Sequence, residues 1–168
     1  MPEQQPTFLT IGTADAPRQI ATLQHQPAKP SREGGVVWLC GLKSQMISTK
    51  ASALAGWAER EAIACTRFDY SGHGQSSGRF EDGRIGAWLD EADAVVSQLT
   101  SGPQVLVGSS TGGYIALLLL RRYLAVSPAV AAKIRALVLI APAWDMTTRL
   151  MWDRFPESAR RALTEESG

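Results

Sequence analysis

The sequence predicts an α/β fold built on a mainly parallel β-sheet with helices on both faces. Short apolar runs alternate along the chain with segments of helical period. The runs are continuous, which is typical of strands that are covered on both sides. The 168 residues hold about five or six strand-and-helix units of roughly 30 residues each. We find no internal repeat and expect one domain over residues 1–168.

The N-terminal part is expected to carry little regular structure before the main sheet begins. Residues 1–18 are rich in proline and polar side chains and are interpreted as a lead-in, in which a short strand could cover residues 8–11. Residues 19–26 alternate loosely and could form an edge strand. Residues 26–35 (QPAKPSREGG) are a turn region by composition.

The next elements follow from an apolar run, a helical spacing and a second run. Residues 36–40 (VVWLC) are predicted to be a strand that is buried on both faces. Apolar side chains at helical spacing predict a helix over residues 50–64, with Ser48 or Thr49 as its cap. Residues 65–70 (CTRFDY) are the next predicted strand, and it leads into a glycine-rich loop.

The second half of the chain continues the alternation of strands and helices. Residues 85–99 are predicted to form the most amphipathic helix, with Asp82 at the position of its N-cap. A strand is expected over residues 105–108, and an apolar helix over residues 114–123. Residues 136–140 (ALVLI) are expected to be another buried strand.

The pentapeptide Gly108-Ser109-Ser110-Thr111-Gly112 carries the chemistry, because it fits G-x-S-x-G. An apolar strand enters it and an apolar helix leaves it, which is the strand-turn-helix of a nucleophile elbow. The turn is so tight that glycine is needed two residues before and two residues after the nucleophile. Ser110 has this register and Ser109 does not. We therefore predict that Ser110 is a catalytic nucleophile.

Two backbone N–H groups are candidates for the stabilisation of an oxyanion. The N–H of Thr111 lies at the start of the helix that follows Ser110, where the helix dipole is positive. The N–H of Leu42 lies in the loop after the strand over residues 36–40, where this kind of site has its second donor. An ordinary strand-to-loop glycine at Gly41 explains that loop equally well from local sequence.

The segments RFDYSGHGQSSG, GPQVLVGSSTGG and LVLIAPAWDM, in this order, resemble the α/β-hydrolase superfamily. Together with GLKSQMISTKA they are similar to a small branch of esterases and acyl-protein thioesterases that also cleave acyl glucuronides. The resemblance covers the chain from Val36 onward. It differs at Thr111, where the branch usually carries Met, and at Gln45, where it often carries Asp, so the pocket is expected to differ in shape. The resemblance implies hydrolysis of an ester or thioester through an acyl-enzyme on Ser110, with no cofactor and no metal.

The resemblance also implies a triad in the chain order Ser, then Asp or Glu, then His. No histidine follows Ser110, since His25 and His73 both precede it. A complete fold of this type also has more strands than are predicted here. We therefore expect residues 1–168 to be the N-terminal portion of a longer hydrolase, with the C-terminal strands missing. This portion is expected to be inactive alone, with the acid and the base beyond Gly168. It is also expected to be poorly soluble, because residues 136–140 would lie at an open sheet edge.

Other residues with reactive side chains are interpreted as structural. His73 could serve as a substitute base, but a loop histidine that shapes a glycine-rich turn is favoured. Asp69 is expected to accept hydrogen bonds from turn amides. Asp145 could be the triad acid and is otherwise part of a lid that starts near residue 143. Cys40 and Cys65 are expected to be reduced core residues.

The tail over residues 143–168 is predicted to be amphipathic, helical and lid-like. Its apolar side chains suggest a cover over the acyl pocket and hence a preference for medium-chain acyl groups; they are Trp144, Met146, Leu150, Met151 and Trp152.

Composition excludes several classes of function. With 17 basic and 16 acidic residues, the net charge of +1 offers no electrostatic attraction for nucleic acid or an anionic membrane. The apolar runs are much shorter than the roughly 18 residues of a membrane span. The spacing of Gly72, Gly74 and Gly78 does not fit a dinucleotide-binding loop.

The expected partner is a small-molecule or acyl-group substrate. The start MPEQQPTF is not a secretory signal, so a cytoplasmic location is predicted.

Two other functions stay open at this point. The elbow does not encode the leaving group, so a peptidase or a C–C hydrolase of the same fold is an alternative. A non-catalytic module of the hydrolase fold, in which Ser110 is a relic, is the other.

Overall fold

The computed structural model describes residues 5–145, 156–158 and 160–161, and the strands of this part form one six-stranded sheet. The strands are β1 (Thr7–Thr13), β2 (Ala16–His25), β3 (Gly35–Leu39), β4 (Ala64–Phe68), β5 (Gln104–Ser109) and β6 (Ile134–Ile140). The helices are α1 (Thr49–Arg60), α2 (Ile85–Leu99), α3 (Thr111–Val126) and α4 (Pro128–Ala131), with a 3₁₀ turn at Phe80–Asp82.

The sheet is mainly parallel, as predicted. Its strand order is β1-β2-β4-β3-β5-β6, in which β4, β3, β5 and β6 run parallel. Strand β2 is antiparallel to both of its neighbours, β1 and β4. Leu39 at the end of β3 lies opposite Gly108 near the end of β5. The loops after these two central strands therefore meet at one edge of the sheet, which is where open α/β sheets bind ligands.

Helices cover both faces of the central strands. On one face, Val36 and Cys65 pack with Ala58 of α1. On the other face, Val37 of the same strand belongs to the large core cluster that α2 and α3 complete. Successive residues of a strand point to opposite faces, so a strand buried on both sides is apolar at every position. This is why β3, which is buried throughout, could be predicted.

The N-terminal hairpin is larger than predicted. Residues 1–18 were expected to be a lead-in, but β1 spans residues 7–13 and pairs along its whole length with β2. The prediction that residues 19–26 form an edge strand is wrong, because β2 lies between β1 and β4. Five of the seven residues of β1 are exposed and only Leu9 and Ile11 pack against the main core, so the apolar pattern indicates a short strand over residues 8–11 and not its full length. Its backbone pairing with β2 defines it instead.

Helix boundaries differ from the predicted ones for local reasons. Helix α1 ends at Arg60, because Ala62 takes a left-handed φ of 51° and turns the chain into β4. Asp82 was predicted to cap α2, but it lies in the 3₁₀ turn, and the N-cap residue is Arg84. Ser48 is the N-cap residue of α1, although its side chain makes no capping hydrogen bond.

Strand β6 is present, but it lacks the burial that its apolar run predicted and lies at the open edge expected where the C-terminal strands are missing. It is the outermost strand of the described sheet, and its outward residues Val138 and Ile140 are 47% and 36% exposed. The predicted tail over residues 143–168 lies mostly outside the described residues, as do Met146, Leu150, Met151 and Trp152. Trp144 is described and is 65% exposed. Among the described helices, none combines the length and the apolar character that crossing a bilayer requires.

Candidate active site

Ser110 occupies a strained turn between β5 and α3. Its φ of 53° and ψ of −118° are unusual for a residue that carries a Cβ atom. The turn is held from the end of β6: the N–H of Ser110 donates to the carbonyl of Ile140 at 2.9 Å, and the N–H of Ala143 donates to the carbonyl of Ser110 at 3.0 Å. The backbone therefore has the geometry of a nucleophile elbow, with the side chain projecting from the end of the sheet.

Close backbone contacts explain why glycine flanks Ser110. A Cβ atom on Gly108 would lie 2.5 Å from the carbonyl oxygen of Gly112. A Cβ atom on Gly112 would lie 2.1 Å from the carbonyl oxygen of Leu39 at the end of β3. Both obstacles are backbone atoms, which cannot rotate away as a side chain can. The predicted need for these two glycines thus has a direct physical cause.

The structure adds a third glycine that the motif alone did not indicate. A Cβ atom on Gly113 would lie 2.9 Å from Cβ of Pro142. The segment after β6 therefore packs closely against the first turn of α3.

Ser110 faces a cleft of about 320 Å³ between the elbow, the loop after β3 and the start of α1. The lining residues are Trp38, Gly41, Leu42, Ser44, Ser48, Thr49, Lys50, Ser109 and Ser110. A Cβ atom on Gly41 would lie only 3.4 Å from Cβ of Ser110, so the loop passes directly beside the predicted nucleophile.

The three predicted site residues come together around this cleft. Leu42 and Ser110 both line it. Thr111 is the first residue of α3, so its N–H belongs to the helix turn whose amides have no acceptor within the helix. The roles of nucleophile and oxyanion donors stay predictions for these three residues.

Ser109 differs from Ser110 in its surroundings. The ammonium of Lys50 donates to Oγ of Ser109 at 3.1 Å, and Ser109 is only 7% exposed. Lys50 was not predicted as a site residue, because its contact joins the first turn of α1 to the end of β5 and leaves no local pattern. The first turn of α1 carries no acidic residue, so this side of the cleft is positively polarised.

The segment after β4, which includes the glycine-rich loop, accepts hydrogen bonds from the backbone of the loop after β3. Oδ1 of Asp69 accepts the N–H of Met46 at 2.6 Å, and Oδ2 accepts the N–H of Gln75 at 2.9 Å. Asp69 therefore binds turn amides, as predicted. His73 is 5% exposed, and its Nε2 accepts the N–H of Lys43 at 3.1 Å.

Neither histidine of the chain is placed as a base for Ser110. The Nε2 atom of His73 is occupied by the amide of Lys43, and its Nδ1 lies 3.1 Å from the carbonyl of Ser71. His25 pairs with Cys65 near the start of β4. It therefore lies toward the opposite end of the sheet from Ser110, which follows the end of β5.

The two cysteines are buried and free. Burial raises the pKa of Cys40 to about 12 and that of Cys65 to about 11. Both thiols are therefore protonated near neutral pH and are poor nucleophiles, as expected for core residues.

A strained serine at the end of a central parallel strand, flanked by glycines that backbone atoms crowd, defines an α/β hydrolase. The chain belongs to the serine aminopeptidase (S33) family of hydrolases, whose profile matches residues 31–165.

Relatives and solved structures agree with this assignment. The chain is 41% identical over 83 residues to the mitochondrial palmitoyl-protein thioesterase ABHD10 of Homo sapiens. The matched region covers 49% of this chain and 27% of that protein. The Bos taurus thioesterase of the same name is 37% identical over 125 residues, covering 65% of this chain and 41% of the relative.

Two solved structures have the same fold over nearly the whole chain. A putative hydrolase from Agrobacterium vitis S4 superimposes with a TM-score of 0.84 at 37% identity, covering 96% of this chain and 61% of that one. The α/β-hydrolase domain-containing protein 10 from mouse superimposes with a TM-score of 0.73 at 25% identity, covering 95% and 59%. The chain thus spans less than half the length of the curated relatives and about three fifths of these structures.

Proposed function

We propose that the natural protein is a serine hydrolase that cleaves carboxylic esters or thioesters through an acyl-enzyme on Ser110. The observation that carries this proposal is the elbow: a positive φ at Ser110 between two glycines, beside a cleft that Leu42 also lines. The thioesterase names of the two relatives support an acyl thioester as one substrate.

The proposed reaction begins when Oγ of Ser110 attacks the acyl carbonyl while a base takes its proton. The carbonyl oxygen becomes an oxyanion, which accepts hydrogen bonds from the N–H groups of Thr111 and Leu42. The leaving alcohol or thiol departs with a proton, and an ester on Ser110 remains. Water then attacks this ester and releases the acid.

The base and the triad acid are proposed to come from outside residues 1–168. The ring of His73 is held by other contacts, His25 lies toward the opposite end of the sheet, and no histidine follows Ser110. A serine hydroxyl without a base is a weak nucleophile, so residues 1–168 alone should show only a small remnant of activity. Asp145 is the alternative for the acid within this sequence. A cytoplasmic location stays a prediction; the relatives are named as mitochondrial proteins.

The test is active-site labelling of the full-length natural protein with a fluorophosphonate probe, together with p-nitrophenyl ester hydrolysis. Ser110→Ala should abolish both, because it removes the attacking oxygen. Ser109→Ala is the matched control, since it removes a neighbouring hydroxyl and should keep most of the activity. Labelling that survives in Ser110→Ala and disappears in Ser109→Ala would instead assign the nucleophile to the Ser109–Lys50 pair.

A peptidase is the second candidate, because the family is named for serine aminopeptidases. The two functions are distinguished by comparing kcat/KM for an acyl thioester with kcat/KM for an aminoacyl p-nitroanilide. We expect the thioester to be the better substrate. A preference for the anilide would favour the peptidase, and no turnover of either, with no probe labelling, would favour a non-catalytic module.

A further inference from the structure

The glycine-rich loop, residues 71–78 (SGHGQSSG), has no role in the proposed reaction, yet its residues Ser71 and His73 are buried beside the site. It lies against the oxyanion loop, residues 40–46, which carries Leu42. Two polar contacts join this region to the oxyanion loop. One is the bond from the Met46 amide to Asp69, which directly follows β4 and precedes the loop. The other, at 3.1 Å, runs from the Lys43 amide to Nε2 of His73.

The contact with His73 is made by a residue of the oxyanion loop that has an unfavourable backbone conformation. Lys43 is the residue directly after Leu42, and its φ of 55° is left-handed although it carries a side chain. Such a conformation is unfavourable for a residue with a Cβ atom, so it persists only where the surroundings hold it. The peptide that joins Leu42 to Lys43 donates its N–H to His73, and this bond opposes relaxation of the turn.

His73 is itself held rigidly. Its ring contacts Trp88 and Phe80 edge to face, with centroids 5.1 Å and 5.3 Å away. Because Nε2 accepts from Lys43, the ring proton lies on Nδ1 and is donated to the carbonyl of Ser71 at 3.1 Å.

Ser71, the acceptor for the His73 ring proton, is fixed in turn. Its N–H donates to Oε2 of Glu91 at 2.8 Å, and its carbonyl also accepts the indole N–H of Trp88 at 3.1 Å. The imidazole ring is therefore fixed with the lone pair of Nε2 directed at the N–H of Lys43.

We propose that His73 is a positioning residue for the oxyanion hole: through the amide of Lys43 it holds the N–H of Leu42 in the direction of Ser110. This inference rests on the proposed function, because it gives the oxyanion loop its purpose. A donor aimed at the oxyanion stabilises the transition state more than the bound substrate. Loss of the acceptor at residue 73 should therefore lower kcat and leave KM nearly unchanged.

Two substitutions in the full-length natural protein separate positioning from packing. His73→Leu keeps an apolar side chain of similar size in the ring cage but removes the acceptor. We expect it to lower kcat at least about tenfold, with KM within about twofold of the original value. His73→Gln places an amide oxygen close to the position of Nε2 and should keep kcat within about threefold. His25→Leu is the matched control on the other histidine and should change neither constant.

A boronic acid inhibitor gives a second readout, because it forms a tetrahedral adduct on serine that uses the oxyanion hole. Its affinity should fall in His73→Leu by the same factor as kcat/KM and should be retained in His73→Gln. The tautomer is a third readout: a long-range ¹H–¹⁵N correlation spectrum of the unsubstituted protein should show the proton of His73 on Nδ1. A proton on Nε2 would overturn the proposal without any variant.

The remaining outcomes are also decisive. If His73→Leu melts at the original temperature and keeps its kcat and its boronic acid affinity, the positioning role is wrong. If His73→Gln melts at the original temperature but loses as much kcat as His73→Leu, an acceptor restored at this position does not support the reaction, and the positioning role is wrong. Ser110→Ala in the same assays separates the two proposals, because turnover that survives Ser110→Ala overturns the proposed function itself.

Discussion

Replacing Gly112 with alanine tests whether the close approach of α3 to β3 shapes the elbow. The new Cβ atom would lie 2.1 Å from the carbonyl oxygen of Leu39 and 2.5 Å from that of Cys40, well below the 3.0 Å that real Cβ atoms keep. Both carbonyls belong to the backbone at the end of a buried central strand. Relief of the overlap therefore requires α3 and β3 to separate.

The expected cost follows from packing. Extra atoms in a well-packed interior typically cost about 1–3 kcal/mol of unfolding free energy. Because no side-chain rotation relieves this overlap, we expect Gly112→Ala to cost about 3 kcal/mol or more. Gly86→Ala is the control with the opposite sign. Gly86 lies in the first turn of α2 with nothing within 4 Å of its added Cβ, so the change should stabilise the protein by about 0.5–1 kcal/mol through helix propensity.

The assay is equilibrium unfolding in urea, followed by tryptophan fluorescence. The midpoint should fall for Gly112→Ala and rise slightly for Gly86→Ala, with the same dependence on urea concentration in both. If Gly112→Ala keeps the free energy of unfolding within about 1 kcal/mol of the original, the close contact is not a constraint and the reasoning fails.

Two further predictions concern buried ionisable groups. Arg18→Met should cost about 3 kcal/mol in urea unfolding, because it leaves the fully buried carboxylate of Glu91 without the guanidinium that lies 3.0 Å away. Burial raises the pKa of Glu91, so this penalty should shrink as the pH falls and the carboxylate takes up a proton. The double variant Arg18→Met/Glu91→Gln should recover most of the lost free energy of unfolding. A double variant that is as unstable as Arg18→Met would contradict the argument. Burial also raises the pKa of Cys40 to about 12 and of Cys65 to about 11, so iodoacetamide should modify these thiols at about pH 8 only in urea. Because the thiols ionise at lower pH in the unfolded chain than in the folded protein, the free energy of unfolding should fall above about pH 9. Rapid modification of the native protein, measured by mass spectrometry, would show that these thiols are accessible.

The central part of the fold could be predicted because its signals are local. Strand β3 is apolar at every position, and strand β5 nearly so, since neighbouring strands and two layers of helices enclose them. Strand β1 could not be predicted with its true length, because its exposed residues are held by backbone pairing with β2. The exposure of β6 could be predicted only from the missing C-terminal strands, since burial depends on which elements cover a strand and not on its own residues.

The candidate site shows the same division. The register of Ser110 follows from glycines within two residues of it, and those glycines are crowded as the motif requires. The contacts of Lys50 with Ser109 and of His73 with Lys43 join residues that are 59 and 30 positions apart. No pattern in one sequence relates such positions, because the contact exists only once the sheet has brought the loops together.

The hydrogen bonds between Ser110 and the end of β6 make the elbow dependent on the outermost described strand. The amide of Ser110 is bonded to the carbonyl of Ile140, and the carbonyl of Ser110 to the amide of Ala143. Outer strands open more readily than the centre of a sheet, so fraying of β6 from its C-terminal end would release both restraints on the serine at once. We therefore expect an element that covers β6, such as the further strands proposed for the natural protein, to preserve the reactive geometry without touching the cleft.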